Sequence, residues 1–290
     1  MATQPNQAWW EVWWERGVPV GDWVESGVES LSSNFPGVFD GFSAVVLWLV
    51  EGLVGGLETL HFSVLIAAFA ALALWLSGWR TALFSMLGLL LIVNINLWES
   101  FVSTLALVVA AEVFVVLLGL PLGILAGTNK VAERLTKPVL DFMQTMPAFV
   151  YLIPSIVFFG IGVVPGIVST VIFALPPLIR LTSLGLKHVP HDLIEASEAF
   201  GATRAQMLFK VQLPSATPNI LAGLNQSIML GLSMVVIAAL VGASGLGTEV
   251  LRGVNTLDIS LGFEAGLAIV IMAIVLDRIT QGLGGGRQNK

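Results

Sequence analysis

Residues Phe101 to Gly127 read FVSTLALVVAAEVFVVLLGLPLGILAG, and the only charged side chain among them is Glu112. About 20 consecutive apolar residues are enough for an α-helix to cross the hydrocarbon core of a bilayer. The stretch therefore predicts a transmembrane helix. Further apolar runs follow along most of the chain, so the sequence predicts an all-α integral membrane protein.

The composition of the whole chain points the same way. Of its 290 residues, 56% are hydrophobic and 11% are charged, and the mean hydropathy is +0.89. An average soluble domain carries roughly 25% charged residues, so a soluble enzyme is excluded. The absence of cysteine excludes a disulfide scaffold and cysteine-based zinc sites. The formal net charge of -6 offers no basic surface, so we expect no nucleic-acid partner.

Hydropathy divides the chain into a polar tail, a short apolar helix and a membrane core. About seven spans are predicted, near residues 62–79, 81–98, 101–127, 138–163, 165–186, 219–243 and 262–280. The apolar run 42–57 is only sixteen residues long and contains Glu51, which favours an amphipathic or interfacial helix over a span. The predicted regions are a tail (1–41), an interfacial helix (42–60), two peripheral spans (61–98), a core (99–280) with a cytoplasmic loop (187–218), and a cytoplasmic tail (281–290).

The basic residues predict the orientation of these spans. With the polar loop 187–218 in the cytoplasm, eleven of the 13 basic residues lie inside, and the opposite orientation would leave two inside. The excess of Lys and Arg on cytoplasmic loops favours the first arrangement. Seven spans then put the amino terminus outside and the carboxyl terminus in the cytoplasm. The eleven are Arg80, Lys130, Arg134, Lys137, Arg180, Lys187, Arg204, Lys210, Arg278, Arg287 and Lys290.

The acidic amino-terminal tail carries four tryptophans, Trp9, Trp10, Trp13 and Trp14. Indole rings prefer the headgroup level of a membrane, which favours an interfacial anchor. The alternative is an aromatic box for a quaternary ammonium ion.

The loop Pro190 to Pro214, PHDLIEASEAFGATRAQMLFKVQLP, predicts two short helices around a glycine. Asp192 and Glu195 are spaced as a capping box for the first helix, and Thr203 and Gln206 as one for the second. Gly201 suits the left-handed position that ends the first helix, and the second helix is expected to stop before Pro214. Exposed apolar side chains would make the loop a docking surface for a partner. These are Phe200, Met207, Leu208 and Val211.

The same loop resembles the EAA signature of ABC-importer permeases, in which Glu-Ala-Ala, Gly, Ile and Leu-Pro recur at fixed spacing. The corresponding residues here are Glu195, Ala196, Ser197, Gly201, Val211, Leu213 and Pro214, with Ser197 and Val211 as departures. In that family the loop forms the coupling helix, which sits in a cleft of a separate ATP-binding subunit. The resemblance thus implies a type I permease fold and a set of coupling residues: Glu195, Ala196, Ser197, Glu198, Gly201, Ala202, Leu213 and Pro214.

Three further segments are similar to permeases of glycine betaine/proline betaine importers. They are residues 140–154 (LDFMQTMPAFVYLIP), 173–180 (FALPPLIR) and 242–247 (GASGLG), and the similarity extends over roughly 99–280. The resemblance implies an inner-membrane permease subunit that forms a homodimer around a shared pathway. It also implies ATP-binding subunits and an extracytoplasmic binding protein as partners. The alternatives are choline, carnitine or proline as substrate, or a secondary transporter or channel without an ATPase.

No Gly-x-x-x-x-Gly-Lys-Ser/Thr loop occurs in the sequence, so ATP and Mg²⁺ are expected on the partner subunit and no cofactor on this chain. The three histidines show no metal-binding spacing, so no metal site is expected.

Polar and adaptable side chains inside the predicted spans are candidates for the substrate pathway. Glu112 lies deep in a span, where an acid faces either a cavity or a hydrogen-bonded helix interface. Met next to an aromatic ring suits a cationic headgroup, although packing is the alternative explanation. The pathway candidates are Met143, Gln144, Thr145, Met146, Tyr151 and Glu112. Gly119, Gly123 and Gly127 predict close helix packing.

Overall fold

The computed structural model describes residues 18–285, and within that range the regular structure is entirely helical. The tryptophans of the tail, at positions 9, 10, 13 and 14, lie outside the described residues. The helices are α1 (Val20–Asn34), α2 (Pro36–Glu58), α3 (Phe62–Ser77), α4 (Trp79–Asn94), α5 (Trp98–Thr128), α6 (Lys130–Thr145), α7 (Leu152–Phe159), α8 (Val163–Lys187), α9 (His191–Ala199), α10 (Arg204–Met207), α11 (Leu213–Ala239), α12 (Leu246–Thr256) and α13 (Ile259–Gly285).

Five helical stretches in this range are long and apolar enough to cross a membrane. They are Pro36–Glu58, Trp98–Thr128, Val163–Lys187, Arg204–Ala239 and Ile259–Gly284, and a bent pair of helices raises the number to six. The predicted spans 62–79 and 81–98 are the 16-residue helices α3 and α4. Both are shorter than the roughly 20 residues that a span needs, so the predicted number of seven spans is not confirmed.

The predicted span 138–163 is not one continuous helix in the structure. Helix α6 ends at Thr145, a 3₁₀ turn covers Ala148–Tyr151, and the two halves meet at an angle of 109°. Met146 is extended, with φ -72° and ψ 136°, because the ring of Pro147 disfavours the helical conformation of the residue before it. We call residues 142–151 the elbow.

The apolar helix before the core is longer than the predicted run 42–57. Helix α2 begins at Pro36, whose fixed φ suits the first turn of a helix, and it extends to Glu58. Its Phe42 ring lies 5.6 Å from the ring of Phe114 on α5. Val46 and Val50 are buried in the cluster that includes Ala110. This helix thus packs on α5 and has the length of a span.

Helix α8 lies between α5 and α11, and glycines set the distances at both contacts. A Cβ on Gly123 of α5 would lie 2.6 Å from Cβ of Thr182 and 3.0 Å from the carbonyl oxygen of Ile179. On the other side, a Cβ on Gly223 of α11 would lie 3.1 Å from Cα of Leu178. Such short distances leave no room for a side chain, which confirms the predicted close packing along Gly119, Gly123 and Gly127.

This packing predicts that a side chain at Gly123 destabilises the protein. Gly123→Val places a branched side chain against the backbone of α8, and overpacking of this kind costs about 1–3 kcal/mol. The measurement is the heat-induced loss of folded protein in detergent. The control is Gly266→Val on α13, because a Cβ at Gly266 meets nothing within 4 Å. Equal thermal stability of the two variants would contradict the close approach of α5 and α8.

Candidate functional site: the coupling loop and the polar groups of the membrane helices

The loop between α8 and α11 begins with the nine-residue helix α9. Pro190 occupies its N-cap position, and no side chain caps the helix. The predicted capping box of Asp192 and Glu195 is therefore wrong, because Asp192 already lies in the first turn. There its carboxylate is favourably placed relative to the helix dipole. Glu195 instead pairs with His191, with Nδ1 and Oε1 3.1 Å apart.

Gly201 turns the chain at the end of α9, as the sequence predicted. Its φ is +76°, in the left-handed region that residues with a Cβ adopt at a cost. The amide of Ala202 donates to the carbonyl of Ser197 at 3.0 Å, and the amide of Gly201 donates to the carbonyl of Glu198 at 2.9 Å. A Cβ on Gly201 would meet nothing within 4 Å, so the glycine is needed for the backbone conformation rather than for space.

The second predicted capping box is confirmed. The amide of Gln206 donates to Oγ1 of Thr203 at 3.3 Å, and the amide of Thr203 donates to Oε1 of Gln206 at 2.9 Å. The expected stop before Pro214 is wrong. A π-helical turn over Leu208–Gln212 connects α10 to α11, and Pro214 lies in the first turn of α11, where its missing N–H is tolerated.

The loop exposes an apolar ring beside two acids. Phe200 is 92% exposed, and Glu195 and Glu198 are exposed on the same short helix. Aromatic side chains are enriched at protein–protein interfaces, which makes this part of the loop a candidate contact surface. Met207, expected to be exposed, is buried, because it ends α10 and faces the protein.

The predicted coupling residues lie in two stretches, one from Glu195 to Ala202 at the end of α9 and one at Leu213 and Pro214 in the first turn of α11. Ser197, Ala202 and Leu213 are half-buried, and the hydroxyl of Ser197 donates to the carbonyl of Leu193 at 2.6 Å. The other residues of the set are exposed: Glu195, Ala196, Glu198, Gly201 and Pro214. The exposed members are therefore available to a partner.

The elbow brings together several of the predicted pathway residues. Tyr151 is buried, and its hydroxyl donates to the carbonyl oxygen of Met143. Its own carbonyl accepts from the hydroxyl of Ser155 at 2.8 Å, and Ser169 of α8 donates to Ser155 at 3.0 Å. These bonds tie the elbow to α8. Gln144 and Thr145 are exposed, and Met143 and Met146 are half-buried.

Glu112 of α5 contacts α11 rather than the elbow. Its Oε2 accepts a hydrogen bond from Ser227 of α11 at 2.7 Å, whereas its Oε1 is buried without a partner in the described part of the chain. Glu112 also borders a groove of about 500 Å³ between α5, α11 and α13. The remaining lining residues are apolar: Val108, Val109, Val113, Val116, Leu117, Leu224, Ile228 and Leu276.

Two ion pairs that the sequence analysis missed join α6 to α8. Arg180 lies 2.6 Å from Asp141, and Lys187 lies 2.5 Å from Glu133. The two basic residues are two helical turns apart, and so are the two acids. This matching spacing is the signal in the sequence that could have indicated the pairs. Because all four side chains are about half exposed, the pairs orient the helices more than they stabilise them.

Comparison with known proteins now gives the family. Residues 119–284 match the model of the binding-protein-dependent transport system inner membrane component. The chain is 54% identical over 266 residues to the glycine betaine transport system permease protein OpuAB of Bacillus subtilis (strain 168), covering 92% of this chain and 94% of that protein.

A second relative and a solved structure agree with this match. The glycine betaine/proline betaine transport system permease protein ProW of Escherichia coli (strain K12) is 48% identical over 267 residues, covering 92% of this chain and 75% of ProW. An inward-facing structure of the MetNI methionine ABC transporter shares the fold, with a TM-score of 0.56 and 26% identity over 62% of this chain and 92% of that one. The chain belongs to the binding-protein-dependent transport system inner membrane components, the membrane subunits of ABC importers.

Proposed function

We propose that this chain forms the translocation pathway of an ATP-driven importer for glycine betaine, proline betaine and similar osmoprotectants. The observation that carries the proposal is the exposed helix α9, held between α8 and α11 by the turn at Gly201 and the cap at Thr203. The substrate class comes from OpuAB and ProW, whose names describe glycine betaine permeases and which share about half of their aligned residues with this chain.

In this proposal the energy comes from ATP-binding subunits that dock on α9. ATP and Mg²⁺ bind to those subunits, and this chain holds no cofactor. Phe200 and the carboxylates of Glu195 and Glu198 form the docking surface. Closure of the ATPases moves α9. The helices on its two sides move with it because α8 ends three residues before α9, and α10 with the π-helical turn connects α9 to α11. The membrane helices then change from inward- to outward-facing.

The functional unit is proposed to contain two copies of this chain around a shared pathway. An extracytoplasmic binding protein delivers the substrate, and its selectivity would decide between betaines and the alternatives choline, carnitine and proline. A secondary transporter or channel is the alternative of a different class. A short exposed helix carrying charged side chains, placed between two membrane helices, favours the ATPase-coupled importer.

The test is uptake by the complex reconstituted in liposomes. Labelled glycine betaine should accumulate only when ATP is inside with the ATPases, and unlabelled choline, carnitine and proline should compete more weakly than proline betaine. Uptake without ATP would contradict the importer class, whereas stronger competition by choline would change the substrate but leave the class intact.

Substitutions on α9 should uncouple ATP hydrolysis from transport. Glu195→Ala removes an exposed carboxylate, and Gly201→Asp places a Cβ at φ +76°, a strain of about 1 kcal/mol or more. Both changes are too small to unfold the bundle, so membrane abundance should stay near normal. Binding of the ATPase subunit, or betaine-stimulated ATPase activity, should fall.

The matched control for these variants is Asn129→Ala, which removes the N-cap of α6, where the Asn129 side chain accepts from the amide of Val131 at 2.8 Å. Its loss costs about 1 kcal/mol but leaves the loop that contains α9 unchanged, so coupling should be largely retained. If Glu195→Ala and Gly201→Asp assemble and transport like the wild type, α9 does not couple the subunits.

Tyr151 is expected to matter for transport but not for assembly. Tyr151→Ala removes both the ring and the hydroxyl that holds Met143, so the elbow loosens and uptake should fall while the ATPase still co-purifies. Tyr151→Phe keeps the ring and should retain more uptake than Tyr151→Ala. Normal uptake by Tyr151→Ala would assign the elbow to packing alone.

The orientation can be read from reporters fused to the two ends. The proposed orientation places eleven of 13 basic residues inside. A reporter after Lys290 should therefore be cytoplasmic, and one at residue 5 should be extracytoplasmic. The measurement is alkaline phosphatase and fluorescent-protein activity of matched fusions. A cytoplasmic reporter at residue 5 would make α2 a true span and contradict the proposed orientation.

A further inference from the structure

One face of α11 remains open in the single chain and is unusually polar for a membrane helix. Ala222, Gln226, Met229 and Ser233 are all exposed. Their spacing of four, three and four residues places them on one side of the helix. Gln226 is near the middle of α11. Two turns further along the helix, the hydroxyl of Ser233 donates to the backbone carbonyl of Met229 at 3.0 Å.

The other sides of α11 are covered by neighbouring helices. Gly223 packs against Leu178 of α8, Ser227 donates to Glu112 of α5, and the amide nitrogen of Asn225 donates to Asp277 of α13 at 2.7 Å. The elbow also contacts α11 through its 3₁₀ turn. The open face is therefore what this bundle leaves available for a partner, lipid or water.

Comparison with α5 separates lipid from the other two occupants, a partner and water. At the depth of Gln226, fixed by the Ser227–Glu112 hydrogen bond, the exposed residues of α5 are Val109, Val113, Val116 and Leu117. Such a surface suits lipid chains. A carboxamide in hydrocarbon, by contrast, loses its hydrogen bonds with water at a cost of several kcal/mol, so the α11 face does not suit lipid.

We infer that the α11 face formed by Ala222, Gln226, Met229 and Ser233 lines the water-filled translocation pathway, and that Gln226 contacts the transported zwitterion. The inference rests on the proposed function for its substrate. The carboxamide of Gln226 donates a hydrogen bond to the anionic oxygen of the solute, and the polarisable thioether of Met229 lies one turn away for the methylated ammonium group. The pathway wall thus includes residues that the sequence did not single out.

The natural absence of cysteine makes the inference directly testable. Single variants Gln226→Cys, Met229→Cys and Ser233→Cys are treated, in the assembled complex in liposomes, with a membrane-impermeant trimethylammonium methanethiosulfonate. We expect all three to react. The matched controls Val113→Cys and Leu117→Cys, which are also exposed in the single chain, should not react because lipid covers them. Glycine betaine in excess should slow the reaction at position 226 several-fold.

Labelling and transport separate this inference from the proposed function. Unreactive cysteines at 226, 229 and 233 in a complex that still takes up betaine would overturn the pathway assignment while the importer stands. Reaction at the α5 positions instead would move the pathway to the groove beside Glu112 and equally overturn it. If a different solute, and not betaine, slows the reaction at the α11 face, the pathway assignment would stand and the proposed substrate would be refuted.

A charge change at the same position tests the contact itself. Gln226→Glu has nearly the same shape, but its carboxylate repels the anionic end of the substrate, so KM for uptake should rise at least several-fold with ATPase assembly intact. Gln226→Asn keeps the donor and should raise KM less. An unchanged KM in Gln226→Glu would show that Gln226 does not contact the substrate.

Discussion

The close contact of α8 with both α5 and α11 is the constraint on which the rest of the structure depends. Between helices in a bilayer, burial of apolar surface drives little association, because lipid chains are as apolar as the side chains. Contact has to come from backbones that approach closely. Glycines supply this on both sides of α8, at Gly123 facing Thr182 and at Gly223 facing Leu178. The three helices therefore form one packed unit.

That unit has a mechanical consequence for the coupling loop. α9 is connected to α8 by three residues, and α10 continues through a π-helical turn into α11. α8 and α11 pack along much of their length, and the left-handed turn at Gly201 and the cap at Thr203 fix the direction of α9 relative to this pair. In the proposed importer, a force on α9 would therefore act on both helices together.

Sequence reasoning succeeded where the chemistry is local. The turn at Gly201, the Thr203–Gln206 cap and the glycine packing of α5 follow from a few neighbouring residues, and the structure shows all three. It failed where distant contacts decide. Hydropathy predicted one span across the elbow because most of its residues are apolar, although Pro147 marked the break. The burial of Met207 and the Arg180–Asp141 pair depend on how α8 sits against other elements, which no local pattern contains.

Polar groups inside the membrane divide into two kinds according to what they face. Glu112 would be read as functional by default, as intramembrane acids usually are. In the structure, however, Glu112 and Asp277 accept hydrogen bonds from Ser227 and Asn225, and each pair joins α11 to a neighbouring helix. These acids hold α11 in place from two sides, while α8 holds it from a third. A fixed helix can keep its open face in one position relative to the elbow, and such positioning is what selective contact with a small solute requires. In the proposed importer, Glu112 and the partly exposed Asp277 would orient α11 beside the pathway.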